Sequence, residues 1–419
     1  MNLNKTMFID KENLIIKTKN NKGYIFHKAN KKYIFLKKDI INYLLEGANR
    51  DITFLEFINA FHDDDQEYIK KMLETLNKMD LFENKNINGK KIECIHMELT
   101  HKCNLECKHC FLKASPDEKT NLSLEEWKNV IDKIAYLNPE QFVFTGGEPL
   151  ILDYFEELVL YSRKKLPNTS FTLSTNGTLI NKYDINLFKN YFDAIYISLD
   201  GYDRESSDKI RGKGVFDKVI NNIKLLKGKG FNNIDLSFTQ GDYNLENRKK
   251  FSKICDELEV TCTIRTFTPK GRGKENLDLF SIEKKEVPVS ILQLVEESSK
   301  ACMEGEEVSK SCVGCNAGEG QIVIDDKANA YPCASLRSDD FIITNMLDKD
   351  CISKIMEFKG GYNLYESIIF KNEDCKNCDL NIFCWYCPAN FEQVYNSDEL
   401  KYWCDNIKTH LNKIIWEEV

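Results

Sequence analysis

Residues 93–110, ECIHMELTHKCNLECKHC, decide how the chain is read. The first eight alternate as a strand does, and the alternation then gives way to Cys103-x3-Cys107-x2-Cys110. Five further strand-like runs follow: QFVFTG (141–146), SFTLST (170–175), AIYISLD (194–200), NIDLSF (233–238) and VTCTIRTF (260–267). Amphipathic stretches separate them, such as SLEEWKNVIDKIAYL (123–137), where Ser123 suits a helix cap with Glu126 three residues on. Six βα units predict an α/β fold with a parallel sheet and outer helices, a partial (β/α)6 TIM-like barrel over residues 89–305. Such folds build their active sites on the loops at the C-terminal strand ends, and the three cysteines occupy the first of these.

Upstream, LIIKTK, GYIFHK and KYIFL read as short strands, with KKDIINYLLEG, TFLEFINAF and QEYIKKMLETLNKMDLF as helices after them. In the last helix Tyr68, Met72, Leu73, Leu76 and Met79 share an apolar spacing. Strands followed by three short helices predict a small winged helix-turn-helix over 1–88, joined through the linker NKNINGKK. Downstream, ten of the sixteen cysteines fall in the last 120 residues. Residues 306–419 hold few long apolar patterns, so this domain is expected to fold around metal.

Composition narrows the classes. With 42% apolar and 30% charged residues and no bilayer-length apolar run or secretory signal, the chain is expected in the cytoplasm and not in a membrane. Clustered cysteines in that compartment point to metal binding or redox chemistry rather than disulfides. The net charge of −8 argues against nucleic acid as a partner. Residues 1–90 carry 16 Lys and Arg against 13 Asp and Glu, so +3 there leaves −11 for the rest.

Three thiolates spaced as Cys103, Cys107 and Cys110 can hold three corners of a 4Fe–4S cluster and leave one iron open, although a structural zinc loop uses similar spacings. After the second strand comes Thr145-Gly146-Gly147-Glu148-Pro149. Its glycines would let backbone approach a ligand, and Glu148 offers an acceptor for an ammonium group. Ser174 and Asn176 of STNG close the third strand, and Ser198 and Asp200 of SLDG close the fourth.

With these motifs the chain resembles the radical S-adenosylmethionine superfamily. The resemblance implies that the cosubstrate's amino and carboxylate groups chelate the open iron, and that one electron cleaves its sulfonium to give a 5′-deoxyadenosyl radical. It gives His109 a place near the adenine, the GGEP motif the amino group, Ser198 and Arg211 cosubstrate contacts, and Phe267 a backbone contact to adenine. Cys312, Cys315, Cys333, Cys375, Cys378, Cys384, Cys387 and Cys404 resemble the SPASM extension, which houses two auxiliary 4Fe–4S clusters. That pattern implies Cys312, Cys315, Cys333 and Cys387 for one cluster and Cys375, Cys378, Cys384 and Cys404 for the other. Two departures stand out: two residues rather than three separate Cys384 from Cys387, and Ala328 stands where the pattern has glycine. Paired structural zinc sites remain the alternative there. Cys94, Cys255, Cys262, Cys302 and Cys351 are left as structural thiols.

The SPASM extension and the leader-binding look of residues 1–88 resemble SPASM-domain peptide maturases of the sactipeptide or ranthipeptide thioether-forming type. The implied substrate is a ribosomally made precursor peptide whose leader adds a strand to the N-terminal sheet. The implied product is a thioether from a cysteine sulfur to a carbon of another residue, with a reductant such as flavodoxin or ferredoxin as electron source. Carbon–carbon crosslinking and epimerisation are alternatives on the same substrate class. A formylglycine-generating sulfatase maturase would carry an acid where this chain has Ala334, in YPCASLR. An iron–sulfur electron carrier or peptide-binding scaffold is the non-enzymatic alternative.

Overall fold

Residues 14–78 form strands and helices in the predicted order. Leu14–Lys19 (β1), Lys22–His27 (β2) and Lys32–Lys37 (β3) make an antiparallel meander, followed by Lys38–Asn49 (α1), Phe54–Asn59 (α2) and Asp63–Lys78 (α3). The computed structural model describes residues 1–82, 90–241, 244, 246–277, 309–310, 315–384, 387–394 and 397–417. They form two compact units. One comprises 1–90, 285–316 and 359–419, and the other 91–284 and 317–358.

In the first unit the small sheet is buried on both faces. Ile25, Ile34 and Leu36 pack against Ile41, Leu44, Phe57, Met72, Leu73 and Leu76 of the three helices. On the other face Tyr24, Tyr33 and Phe35 meet Phe383 at centroid distances of 5.1–5.9 Å, and Phe26 meets Tyr362 at 5.2 Å. Tyr68 departs from the expected apolar face of α3: it is 56% exposed, whereas Met72, Leu73, Leu76 and Met79 are buried.

The second unit carries the predicted parallel strands as Cys94–Glu98 (β4), Gln141–Thr145 (β5), Ser170–Thr175 (β6), Ala194–Ser198 (β7), Ile234–Gln240 (β8) and Thr261–Thr266 (β9), side by side in chain order. Alternation sends Ile95, Met97, Phe142, Phe144, Phe171 and Leu173 into the core with the outer helices. Leu124–Leu137 (α4) supplies Trp127, Val130, Ile131 and Ile134 to that core, and Ser123 and Glu126 form the expected capping box. The opposite alternation leaves His96, Glu98, Ser174, Tyr196 and Ser198 facing inward.

Three short strands extend the sheet beyond the predicted set. After Ser309–Lys310 (β10), which pairs with β3, Gln321–Ile324 (β11) lies parallel to β4, and Asn329–Tyr331 (β12) and Thr344–Asn345 (β13) continue antiparallel. In the turn between β11 and β12, Ala328 takes φ 64°, the left-handed conformation that favours glycine. Among the described residues no helix is long and apolar enough to cross a membrane.

Leu73 is fully buried, so Leu73→Ala should cost about 2–5 kcal/mol in urea unfolding of the intact chain. Tyr68→Ala, on the exposed side of the same helix, should stay within about 0.5 kcal/mol.

Candidate active site

A cavity of about 640 Å³ opens at the C-terminal ends of β4–β9. Cys103, Cys107 and Cys110 all line it, although they fall at three points of one irregular loop. His109, Gly146 and Gly147 also line it, as do Ser174, Asn176, Ser198, Arg211 and Phe267. Glu148 and Asp200 do not: both are buried behind the wall.

The cysteine loop is held by its backbone. Cys103 N–H donates to Ser115 O at 2.9 Å and Lys108 N–H to Ile210 O at 3.0 Å. Arg272, which sequence reasoning passed over, donates through Nε to Cys107 O at 2.9 Å and through its backbone N–H to Cys110 O at 2.9 Å, and its guanidinium also reaches Ala114 O. Gly271 precedes it at φ 54°, where a Cβ would stand 2.2 Å from Phe111 O. That glycine was the only local signal.

The sulfurs meet donors. Leu105 N–H points at Cys103 Sγ at 3.4 Å, Asn176 Nδ2 at the same sulfur at 3.7 Å, and Arg211 Nη1 at Cys107 Sγ at 3.8 Å. Burial pushes the Cys103 thiol up to about 12 and raises Cys107 as well, against the pull of Arg211. Three soft donors on one cavity, two of them buried and met by N–H donors, fit a bound iron–sulfur cluster, which binds thiolates and displaces their protons.

Asp200 links the cysteine loop to the barrel. Its Oδ2 takes both His109 Nε2 and Arg211 Nη2, the latter at 2.5 Å, and its Oδ1 accepts from Thr239 N–H at 2.6 Å. Burial alone would push this carboxyl up, but Arg211 and His109 outweigh it and hold Asp200 well below the usual carboxylate range. His109 therefore lines the cavity while its ring nitrogen is tied to Asp200.

The glycines line the cavity, and they also answer to a constraint within the chain. A Cβ on Gly146 would stand 2.5 Å from Thr100 O, and one on Gly147 would stand 2.5 Å from Lys102 O. The close approach is to the chain's own loop after β4, which Gly147 N–H bonds at Thr100 O at 2.6 Å. Glu148 is the knot behind it. Its Oε1 accepts from Leu150 N–H at 3.0 Å and Thr175 Oγ1 at 2.7 Å, and its Oε2 from Asn176 N–H at 2.8 Å.

A second buried network was not legible in the sequence. His101 Nε2 stands 3.7 Å from Glu98 Oε2 and 3.6 Å from Asp326 Oδ1, and Arg337 pairs with Glu98 Oε1. Burial would lower the His101 pKa, but the two carboxylates outweigh it and raise it.

In the first unit Cys375, Cys378, Cys384 and Cys404 lie within electrostatic reach of one another. Burial pushes Cys375 up to about 11 and Cys384 up to about 12, and the neighbouring thiols add to it. Cys315 and Cys387 belong to the same unit, and Cys333 follows β12 in the other. Cys302 and Cys312 lie outside the described residues. Among the described residues no three His, Cys, Asp or Glu side chains converge as the ligands of one ion. Of the remaining cysteines Cys255 and Cys351 are buried, and Cys94 and Cys262 are half-buried.

Burial pushes the Glu148 carboxyl up to about 7, although three donors favour its ionised form. A carboxyl raised in the folded state favours folding at acid pH, and that contribution is lost as pH rises through the folded value. The melting midpoint should therefore fall as pH rises from about 4.5 to about 7 and level off above that. Glu148→Gln should flatten that fall while costing about 1–3 kcal/mol at lower pH, because its amide N–H would face the Asn176 N–H.

Comparison with known proteins agrees with this geometry. The sequence profile of the radical SAM superfamily matches residues 97–255. Mycofactocin maturase MftC of Mycolicibacterium smegmatis is 27% identical over 265 residues, 61% of this chain and 67% of that protein. A probable GTP 3′,8-cyclase of Saccharolobus solfataricus is 30% identical over 212 residues, 49% of this chain and 68% of that protein. Among solved structures, Streptococcus suis SuiB bound to S-adenosylmethionine superposes with a TM-score of 0.56 at 16% identity, covering 94% of this chain and 98% of that one. It shares the α/β fold with the partial parallel barrel, the small N-terminal antiparallel sheet and the cysteine-rich C-terminal region. The cavity shared by the cysteine triplet and the glycine motif, and the relatives that match across it, give one result: the chain belongs to the radical SAM superfamily.

Proposed function

We propose that this enzyme is a peptide maturase that forms thioether crosslinks in a ribosomally made precursor peptide. The observation that carries the reading is the common lining of one cavity by Cys103, Cys107 and Cys110 with Gly146, Gly147, Ser198 and Arg211. When bound, the cluster on these thiolates would reduce S-adenosylmethionine to give a 5′-deoxyadenosyl radical. Arg211 and Asn176 would hold the sulfurs through the donors described, and Ser174, Ser198 and Phe267 would seat the cosubstrate. His109 and Asp200 would keep Arg211 oriented, and the GGEP loop would meet the amino group, with Glu148 behind the wall fixing the Asn176 N–H and the Thr175 hydroxyl.

The mutual proximity of Cys375, Cys378, Cys384 and Cys404 supports an auxiliary 4Fe–4S cluster there. Cys312, Cys315, Cys333 and Cys387 would hold the second. Residues 1–88 would receive the leader, with 89–305 as the radical barrel and 306–419 as the SPASM region. Holding the leader raises the local concentration of the core peptide at the cavity. A peptide substrate is supported by the maturase relative and by the fold likeness to SuiB, which has also been solved bound to its precursor peptide SuiA. The relative named as a GTP cyclase shows that likeness across the barrel does not by itself choose the substrate. Ala334 lines the cavity at the position where sulfatase maturases carry an acid, which disfavours formylglycine formation.

Each thioether removes two hydrogens from the peptide, one as an atom from carbon to the 5′-deoxyadenosyl radical and one as the thiol proton, and the electron left over would pass to an auxiliary cluster when one is bound. The test is anaerobic turnover of the reconstituted chain with a reductant, S-adenosylmethionine and the cysteine-containing precursor peptide encoded beside its gene. We expect a loss of two hydrogens per link and cysteines that no longer alkylate. Hydrogen loss with alkylatable cysteines would point to carbon–carbon bonds, and deuterium gain from solvent without mass loss to epimerisation. Cys107→Ala should abolish 5′-deoxyadenosine release altogether; persistent cleavage would sink the radical reading.

A further inference from the structure

Half of the cavity wall belongs to no motif. His96 and Glu98 of β4, Gln141 and Val143 of β5, Tyr196 of β7 and Arg265 of β9 line it beside the cosubstrate motifs. The two charges among them, Glu98 and Arg265, do not pair with each other. Arg211 is matched by Asp200 and Arg337 by Glu98. Arg265 is exposed at the cavity, and among the described residues no acidic side chain pairs with it.

The acids on neighbouring strands are committed elsewhere. Thr239, the β8 residue in register with Arg265, gives its N–H to Asp200, whose other oxygen holds His109 and Arg211. Asp235, lower on β8, accepts from Thr261 and Thr263 through one oxygen. Burial lowers the His96 pKa and, despite Glu98, Arg265 and Arg337 add to that lowering. Among the described residues the wall around Arg265 therefore holds an imidazole whose protonation is disfavoured and a guanidinium with no acidic partner.

We propose that Arg265 binds a carboxylate of the substrate, so that the core peptide presents an acidic side chain or its own C-terminus beside the carbon that loses its hydrogen. A guanidinium fork matches a carboxylate with two parallel hydrogen bonds, which fixes direction as well as position. Arg265 is then the residue that sets which stretch of peptide enters the cavity. The proposal rests on the peptide reading given above.

The test uses the full chain with its clusters reconstituted, S-adenosylmethionine, a reductant and the precursor peptide encoded beside the gene. The peptide is also made with each core Asp or Glu changed to its amide, and with an amidated C-terminus. Arg265→Gln should raise the peptide KM roughly 30-fold or more while leaving the KM for S-adenosylmethionine in place. Arg265→Lys, keeping the charge without the fork, should recover part of the loss. One peptide variant should reproduce the loss with wild-type enzyme and add nothing further to Arg265→Gln. A side-chain amide doing so identifies an internal acid, and the amidated terminus identifies the C-terminal carboxylate. Effects that simply multiply, or no effect of any amide, would overturn the proposal while leaving the peptide reading intact. A raised KM for S-adenosylmethionine would overturn it in favour of the cosubstrate's own carboxylate. A peptide left unmodified by wild-type enzyme would fell the peptide reading and this proposal together.

Discussion

The Asp200 carboxylate, buried from water, receives donors from three separated segments: His109 in the cysteine loop, Arg211 at the end of its helix and Thr239 on β8. Bringing a carboxylate and a guanidinium out of water is costly unless they are bonded; here Asp200 takes three donors, and Arg211 gives both terminal nitrogens while its Nε is buried without a partner. Removing one member would leave a buried charge uncompensated, at a cost of about 3–5 kcal/mol. The pair therefore acts as a fixed point. Arg211 can present Nη1 to Cys107 because its other terminal nitrogen is held, and His109 ties the loop that carries Cys110 to Asp200. The geometry around the sulfurs is set by a charge pair of which Arg211 lines the cavity and Asp200 lies behind it.

The same economy appears at the glycine motif. Gly146 and Gly147 pass so close to the loop after β4 that a Cβ on either would strike a carbonyl. Behind them Glu148 gathers the backbone of Leu150 and Asn176 and the Thr175 hydroxyl. The exits of β4, β5 and β6 are thus joined by backbone and carboxylate contacts. The residues facing the cavity inherit their positions from that joint.

Much of this was legible in the sequence, for physical reasons that also explain the gaps. β4–β9 were readable because alternation and regular spacing are local properties, and so was the α4 capping box. Tyr68 fitted the spacing of α3 yet stands outside the core, because periodicity fixes the angle around a helix and not whether a neighbour lies over that end. β11–β13 were unreadable: runs as short as QIVI and NAY become strands through pairing at the free side of β4, which is a tertiary event. The departure at Ala328 was visible, but its meaning as a residue held at positive φ needed the turn. At the site, residue identities were legible and their depths were not. Nothing in GGEP or SLDG tells that Glu148 and Asp200 lie behind the wall while Gly147 and Ser198 lie on it. Arg272 and Arg337 act on parts of the chain more than 150 residues away, which no local pattern encodes.

Arg272 carries one more consequence. It sits five residues after Phe267, which reaches the cavity, and it is fastened to the carbonyls of Cys107, Cys110 and Ala114. A carpenter would call it a splint across two boards. Any displacement of the exit of β9 carries the cysteine loop with it, so the spacing between Phe267 and the three sulfurs stays in tolerance while both move. Length changes elsewhere in the barrel need not disturb that one dimension.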